Sequence, residues 1–267
     1  MDITIILKAI ILGIIEGLTE FLPISSTAHL IIAAKLINFN NIDNNIFEIS
    51  IQLGAILAVM FLYRGKIIQI ITTLPSNKDS QKFTLNIVCA FLPTAIIGFL
   101  LYPIIKTYFF SLKVIAISLI IGGIAFLLIE KFKTKSKFNK IEKINIKNSI
   151  LLGIIQSLAI IPGVSRSGAT IMGGLFIGIK RRIATEISFF LAIPTIFSAT
   201  IYDLYKNYDL LNIHNLFIIS IGFISTFLSS IVVIKWFINF ISKNNFTIFA
   251  YYRIIIGLIL GLYLIFN

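Results

Sequence analysis

Six apolar runs, each close to the length of a bilayer-crossing helix, decide most of what this chain can fold into. They cover about 46–63, 83–105, 112–130, 184–205, 212–241 and 246–266, the last interrupted only by Arg253. A hydrocarbon core about 30 Å thick needs roughly 20 apolar residues per helix. In lipid the backbone must satisfy its own hydrogen bonds, so runs of this length read as α-helices. Composition agrees. Of 267 residues 58% are hydrophobic and 13% charged, whereas soluble domains carry about 25% charge. The N-terminus runs straight into an apolar stretch holding Glu16 and Glu20, with no small-residue cleavage site before them, so no cleavable signal is expected. The net charge of +12 raises nucleic acid as a partner. Most of the cations sit in short gaps between apolar spans, however, where they set orientation, and no nucleic-acid partner is expected. The sole cysteine, Cys89, lies inside an apolar run and has no partner for an internal disulfide.

Two further apolar stretches are broken. Residues 5–22 and 149–161 stop at a proline followed by hydroxyl side chains, and short apolar arms follow at 28–37 and 168–179. Each reads as a re-entrant hairpin, too short in either arm to cross twice. The two hairpins match: LGIIEGLTEFLPISST begins at Leu12 and LGIIQSLAIIPGVSRSGAT at Leu152, an offset of 140. Glu48-Ile49-Ser50 finds Glu186-Ile187-Ser188, and Lys113 finds Arg253, near the same offset. The expected fold is an all-α, polytopic membrane protein forming a single membrane domain. Repeat 1 covers about 1–130, a basic connection 131–147, and repeat 2 about 148–267. Each copy holds one hairpin and three spans, giving six spans and two hairpins. An odd number of crossings turns the second copy upside down, the inverted-repeat plan.

Cations then orient the chain. With 131–147 in the cytoplasm, 16 Lys and Arg lie on that side and 5 on the other, leaving out Arg166 and Arg253. Both termini and residues 38–45 then face outward. The first hairpin enters from the outer face and the second from the cytoplasm, so their tips meet near the midplane.

The first hairpin carries EGLTEFLPISSTAH. Glu16 and Glu20 are four apart on one helix face. Carboxylates at membrane depth cost about 2.5–3.5 kcal/mol each, and a like-charged pair is worse without a cation between them. Pro23 ends the helix, and Ser25, Ser26 and Thr27 supply hydroxyls and an N-cap for the arm bearing His29. The second hairpin carries PGVSRSGAT, with Ser165, Ser167 and Thr170 around Arg166, and with Gly168 allowing close backbone approach. Hydroxyls, free helix-start amides and one guanidinium describe an oxyanion cradle. Arg166 also has a simpler use, neutralising Glu16 or Glu20.

With both motifs in this order, the whole chain resembles the undecaprenyl-diphosphate phosphatase family, the bacitracin-resistance type of bacterial membrane phosphatase. The resemblance implies Glu16, Glu20, Ser26, His29 and Arg166 as the functional set. It implies a polyprenyl (C55) diphosphate substrate at the outer face of the inner membrane and a divalent cation, Mg or Ca. It also implies a product monophosphate that serves cell-wall synthesis, and a homodimer is left open as a further partner. One departure is Ala28, where the family pattern has glycine before the histidine.

Hydrolysis of a diphosphate expels a good leaving group, so the difficulty is the negative charge entering a low-dielectric site. Arg166, the hairpin amides and a metal on Glu16 and Glu20 would meet it. Ser26 or a water attacks, with Glu20 or His29 as base. The remaining hydroxyls (Ser25, Thr27, Ser165, Ser167, Thr170) and Gly168 are candidate phosphate binders. Glu48 and Gln52 are candidate braces behind the site, and Glu186 shares that reading with helix capping. Arg253 and Lys113 are expected to snorkel to opposite interfaces, and Asp203, His214 and Trp236 to sit at interfaces. A shared site requires the Arg166 guanidinium within about 4–7 Å of Ser26 and Glu20. The alternative is a transporter or lipid-phosphate flippase, which uses the same inverted architecture.

Overall fold

A computed structural model describes residues 3–39, 44–132, 136–206 and 213–266. Parts of the 38–45 loop and of the 131–147 connection, and the side chain of His214, lie outside the described residues. Both breaks form as expected. Helix α1 (Ile3–Thr19) ends in a turn at Pro23, and α2 (Ser26–Leu36) returns. Helix α7 (Ile146–Ser157) runs into a 3-10 turn, Leu158–Ile160, and α8 (Arg166–Ile177) returns. Proline has no N–H to continue a helix, and serine caps each restart. Ser25 accepts from Ala28 N at 3.4 Å and Ser165 from Gly168 N at 3.1 Å. The two caps share an uncommon backbone conformation, φ 73° and 74°. Gly178, φ 92°, closes α8 in the left-handed conformation.

The spans are α3 (Asn44–Leu62), α5 (Lys78–Tyr108), α6 (Leu112–Phe132), α9 (Arg181–Lys206), α10 (Ile213–Lys243) and α11 (Thr247–Phe266). Helix α4 (Arg64–Thr73) was not anticipated. It bends 72° away from α3 and buries no residue, so it lies along one end of the bundle. Among the described residues five helices are long and apolar enough to cross a membrane, and the bent α3–α4 pair makes a sixth.

Small residues let these helices approach, since lipid provides no hydrophobic drive for helix association. Helix α1 packs along α10, with Gly13 against the carbonyl of Gly222; α7 packs along α5, with Gly153 against the carbonyl of Ala90. In both contacts a threonine reaches across: Thr226 Oγ1 donates to Gly13 O and Thr94 Oγ1 to Gly153 O, each at 3.0 Å. Helix α3 packs on α9 and α10, and α6 on α11.

One end of the bundle collects the polar residues of four segments, α4, α5, the basic connection and α9. Lys66, Asp79, Lys140, Glu142 and Glu186 line a common cavity there. At the junction of α6, α9 and α11, Arg181 forks onto Glu130 at 3.0 and 2.6 Å, and Phe246 N donates to the same carboxylate at 3.1 Å.

Candidate active site

The two breaks, 140 residues apart in sequence, meet around a cavity of about 150 Å³. The first hairpin contributes Glu20, Ser25, Ser26 and Thr27 to its wall, the second Pro162, Gly163, Ser165 and Arg166, and α3 adds Gln52. The first turns of α2 and α8 therefore open on the same space, so the positive ends of two helix dipoles converge on it.

Glu20 is the hub. Ser26 Oγ donates to its Oε2 at 2.5 Å, and Arg166 donates to its Oε1 through Nη2 at 3.1 Å and Nε at 3.4 Å. The third side of the guanidinium is fixed by Ser188, whose carbonyl accepts from Nη1 at 2.6 Å. Glu20 is 7% exposed, and low exposure strengthens both the charge-assisted bonds and the cost of losing one. Arg166 and Ser26 thus share one carboxylate, and Arg166 stands closer to Glu20, in direct contact at 3.1 Å, than the expected 4–7 Å.

Glu16 lies one turn behind, fully buried, and among the described residues no N–H or hydroxyl donates to either of its carboxylate oxygens. The charges of Glu20 and Glu48 bear on it. Its counterpart in the second hairpin, Gln156, is equally buried but satisfied. Its amide donates to Thr94 and Thr195 at 3.0 and 3.3 Å, and its oxygen accepts from Thr170 at 2.9 Å.

Several expected phosphate binders do other work. Ser167 is buried and donates to the carbonyl of Leu22 at 2.8 Å, tying the two breaks together. Gly168 spends its amide on the Ser165 cap, and Thr170 serves Gln156; none of these three lines the cavity. Gln52, read from sequence as a brace, instead faces the cavity. Glu186 pairs with Arg182 at 3.2 Å and lines the polar cavity at the end of the bundle, so it does not support the hairpins. Ala28 is fully buried among Ile115, Leu119 and Leu260, where its methyl is packing material.

His29 stands outside the cavity. Its Nδ1 lies 2.7 Å from Ser25 O, and a carbonyl only accepts, so Nδ1 carries the hydrogen. In the neutral ring Nε2 then accepts from Tyr252 Oη, 2.7 Å away, and the two rings stack at 5.6 Å. The Ser26 hydroxyl is engaged by Glu20, not by His29.

The expectation for Arg253 is overturned. It does not reach an interface: it is 0% exposed and donates to the carbonyls of Pro23, Ser118, Leu119, Gly163 and Val164. Interior carbonyls offered closer partners than a distant headgroup region. Lys113, at the start of α6, is exposed. Asp203 is buried beside an apolar cleft and Trp236 half-exposed. The sequence reading missed Ser188 and Tyr252 as site partners. Ser188 was noted only for its match to Ser50, and Tyr252 carried no signal beyond its place beside Arg253.

Comparison with known proteins agrees with this geometry. The family described as bacitracin resistance protein BacA matches residues 9–259. An undecaprenyl-diphosphatase of Methylobacillus flagellatus is 50% identical over 98% of this chain and 99% of its own length. The undecaprenyl-diphosphatase of Nitrosospira multiformis is 48% identical over 97% and 95%. Undecaprenyl-diphosphatase 2 of Shewanella oneidensis is 49% identical over 97% and 98%. With a site joined across two broken helices and likeness along nearly its whole length, this chain belongs to the bacitracin resistance protein BacA family.

Proposed function

We propose that the chain is a membrane phosphatase that removes the terminal phosphate of undecaprenyl diphosphate and releases the lipid monophosphate. The observation that carries this is the Glu20 hub, where one carboxylate engages both a hydroxyl nucleophile and the guanidinium of an oxyanion cradle. The names of the relatives point to the same substrate.

In this reading Ser26 Oγ attacks the terminal phosphorus in line, the bridging P–O bond breaks, and the lipid monophosphate leaves. The Ser26 proton passes to Glu20 Oε2, already at hydrogen-bond distance. Protonation removes the negative charge that holds Arg166, and the guanidinium turns to the charge now on the phosphoryl oxygens. Glu20 gives that proton to the departing lipid monophosphate, then takes one from the water that displaces phosphate from Ser26 and returns it to Ser26 Oγ. Direct attack by water with Glu20 as base remains the competing route, and trapping a phosphoserine on Ser26 separates the two.

A divalent cation fits the residues present. No N–H or hydroxyl among the described residues donates to the two buried oxygens of Glu16, and hard carboxylate oxygens suit Mg or Ca. Among the described residues no three His, Cys, Asp or Glu side chains gather at one point, so Glu16 and Glu20 are the residues that would hold it. When bound, such an ion neutralises charge on the diphosphate.

The lipid chain has an exit. A cleft of about 520 Å³ between α5 and α9 shares Ala159 and Arg166 with the phosphate cavity. Its walls include Phe91, Ala95, Phe99 and Ile160. The fold is read as an inverted repeat, supported by the matched serine caps and the matched threonine-to-glycine contacts. The protein is read as multi-pass in the bacterial inner membrane with its site open to the outer face. Support comes from the cation asymmetry of the connections, 16 Lys and Arg on one side against 5 on the other.

The test is phosphate release from undecaprenyl diphosphate by purified protein in detergent, with and without chelator. Release by the wild type and its loss in Ser26→Ala and Glu20→Gln support the reading. A wild type that moves the lipid across a vesicle membrane without releasing phosphate would favour the flippase.

A further inference from the structure

Arg253 uses everything an arginine has. A guanidinium owns five N–H groups in a planar fork, and all are engaged. Nε donates to Leu119 O at 3.4 Å. Nη1 donates to Pro23 O at 3.2 Å and Val164 O at 2.9 Å. Nη2 donates to Ser118 O at 3.0 Å and Gly163 O at 2.9 Å. Every acceptor is a backbone carbonyl, and the side chain is completely buried.

The acceptors belong to three separate pieces of chain. Pro23 lies in the first break, Gly163 and Val164 lie in the second, and Ser118 and Leu119 belong to α6. Carbonyls in the breaks are outside helical hydrogen bonding, so a buried donor is what they require. On α6 the room comes from Gly122, where a Cβ would collide with the guanidinium. Next to Arg253, Tyr252 holds His29 through its hydroxyl, so α11 grips the first hairpin at two points.

The path from this grip to the chemistry is short on both sides. Pro23 precedes the Ser25 cap by two residues and Ser26 by three; Val164 adjoins the Ser165 cap and precedes Arg166 by two. The Ser26–Glu20–Arg166 contacts therefore depend on the separation of two breaks that one side chain spans. Arg253 does not itself line the phosphate cavity. We infer that Arg253 is the positioning residue of the site, setting the spacing of the two breaks so that the Ser26 hydroxyl and the Arg166 guanidinium meet at Glu20. This rests on the phosphatase reading above.

Three variants of the full-length protein in detergent test it: Arg253→Lys, Arg253→Ala and Gly122→Ala. Each is measured for kcat and KM on undecaprenyl diphosphate, and for folded fraction by size exclusion and circular dichroism of the same sample. Lysine keeps the charge but has three donors and no fork. The expected result is a folded Arg253→Lys protein with kcat down about 100-fold and KM changed less than about 3-fold, because a misplacement near 1 Å costs about that much. Gly122→Ala should lower kcat with Arg253 still present. Tens of millimolar guanidinium should restore part of the kcat of Arg253→Ala at constant folded fraction, while methylammonium does not. The inference is overturned if Arg253→Lys turns over at close to the wild-type rate, or if every loss matches the unfolded fraction. It is also overturned if all three variants fail to fold, which would make Arg253 a residue of the fold alone. A wild type that releases no phosphate defeats the phosphatase reading instead, before any variant is compared.

Discussion

Glu16 and Gln156 hold matching places in the two LGII segments, and their surroundings differ by design. Three hydroxyls complete Gln156, while Glu16 has none. A buried carboxyl beside a second carboxylate is costly to ionise unless a cation binds it. Glu16→Gln is therefore expected to leave thermal stability in chelator unchanged or higher, and to abolish turnover. Added magnesium should raise the Tm of the wild type, by about 2.7 kcal/mol of stability at a hundredfold excess over Kd. It should leave the variant unmoved, and an equal shift in both would remove Glu16 from the cation site. Arg166 makes the complementary case. Its fork bridges Glu20 and the Ser188 carbonyl at once, which a single ammonium cannot do. Arg166→Lys should lower kcat/KM by about 10²–10³-fold, the usual loss of a preorganised charge donor. A tenfold loss or less would mean that charge alone suffices.

At the scale of helices, glycines set how near the hairpins come to the spans that carry them. A methyl at Gly153 would strike the Ala90 carbonyl on α5, so Gly153→Ala should cost about 1–3 kcal/mol of stability through overpacking. Gly261 on α11 has nothing within 4 Å of its missing Cβ, and Gly261→Ala should stabilise by about 0.4–1 kcal/mol. Thermal unfolding in detergent distinguishes them, and similar shifts for both would refute the packing account. The hairpins were legible in the sequence because Pro23 and Pro162 interrupt apolar runs just before hydroxyl clusters. Helix α4 was not, since residues 64–82 read as a cation-rich connection and Tyr63–Arg64 carries no breaker to mark a bend. Arg253 was misread for a different reason. Its local sequence shows only a cation in an apolar run, for which an interface is the default. Its acceptors come from 89 to 230 residues away. Glu20 and Arg166 were recognisable as a pair, but Ser188, which fixes the other side of the guanidinium, became visible only once α9 was folded against α8.

For the molecule as a whole, the cation asymmetry and the polar end of the bundle make a single prediction about sidedness. Lys113 and Lys137 are both exposed and are assigned to opposite faces. In intact cells, with Cys89 replaced, a membrane-impermeant maleimide should modify Lys113→Cys and spare Lys137→Cys. The reverse pattern would invert the topology and turn the phosphate site toward the cytoplasm.

The caps at Ser25 and Ser165 carry a consequence for how such a protein would change under selection. Both serines sit at φ near 74°, where an L side chain costs about 1–2 kcal/mol and glycine almost nothing. Losing the capping hydroxyl to glycine gives up only a few tenths of a kcal/mol. A laboratory population challenged only by heat should therefore accumulate glycine at both positions. One required to recycle its lipid quickly should keep both hydroxyls on the wall of the phosphate cavity. Endurance and output become opposing traits, and they part at two codons.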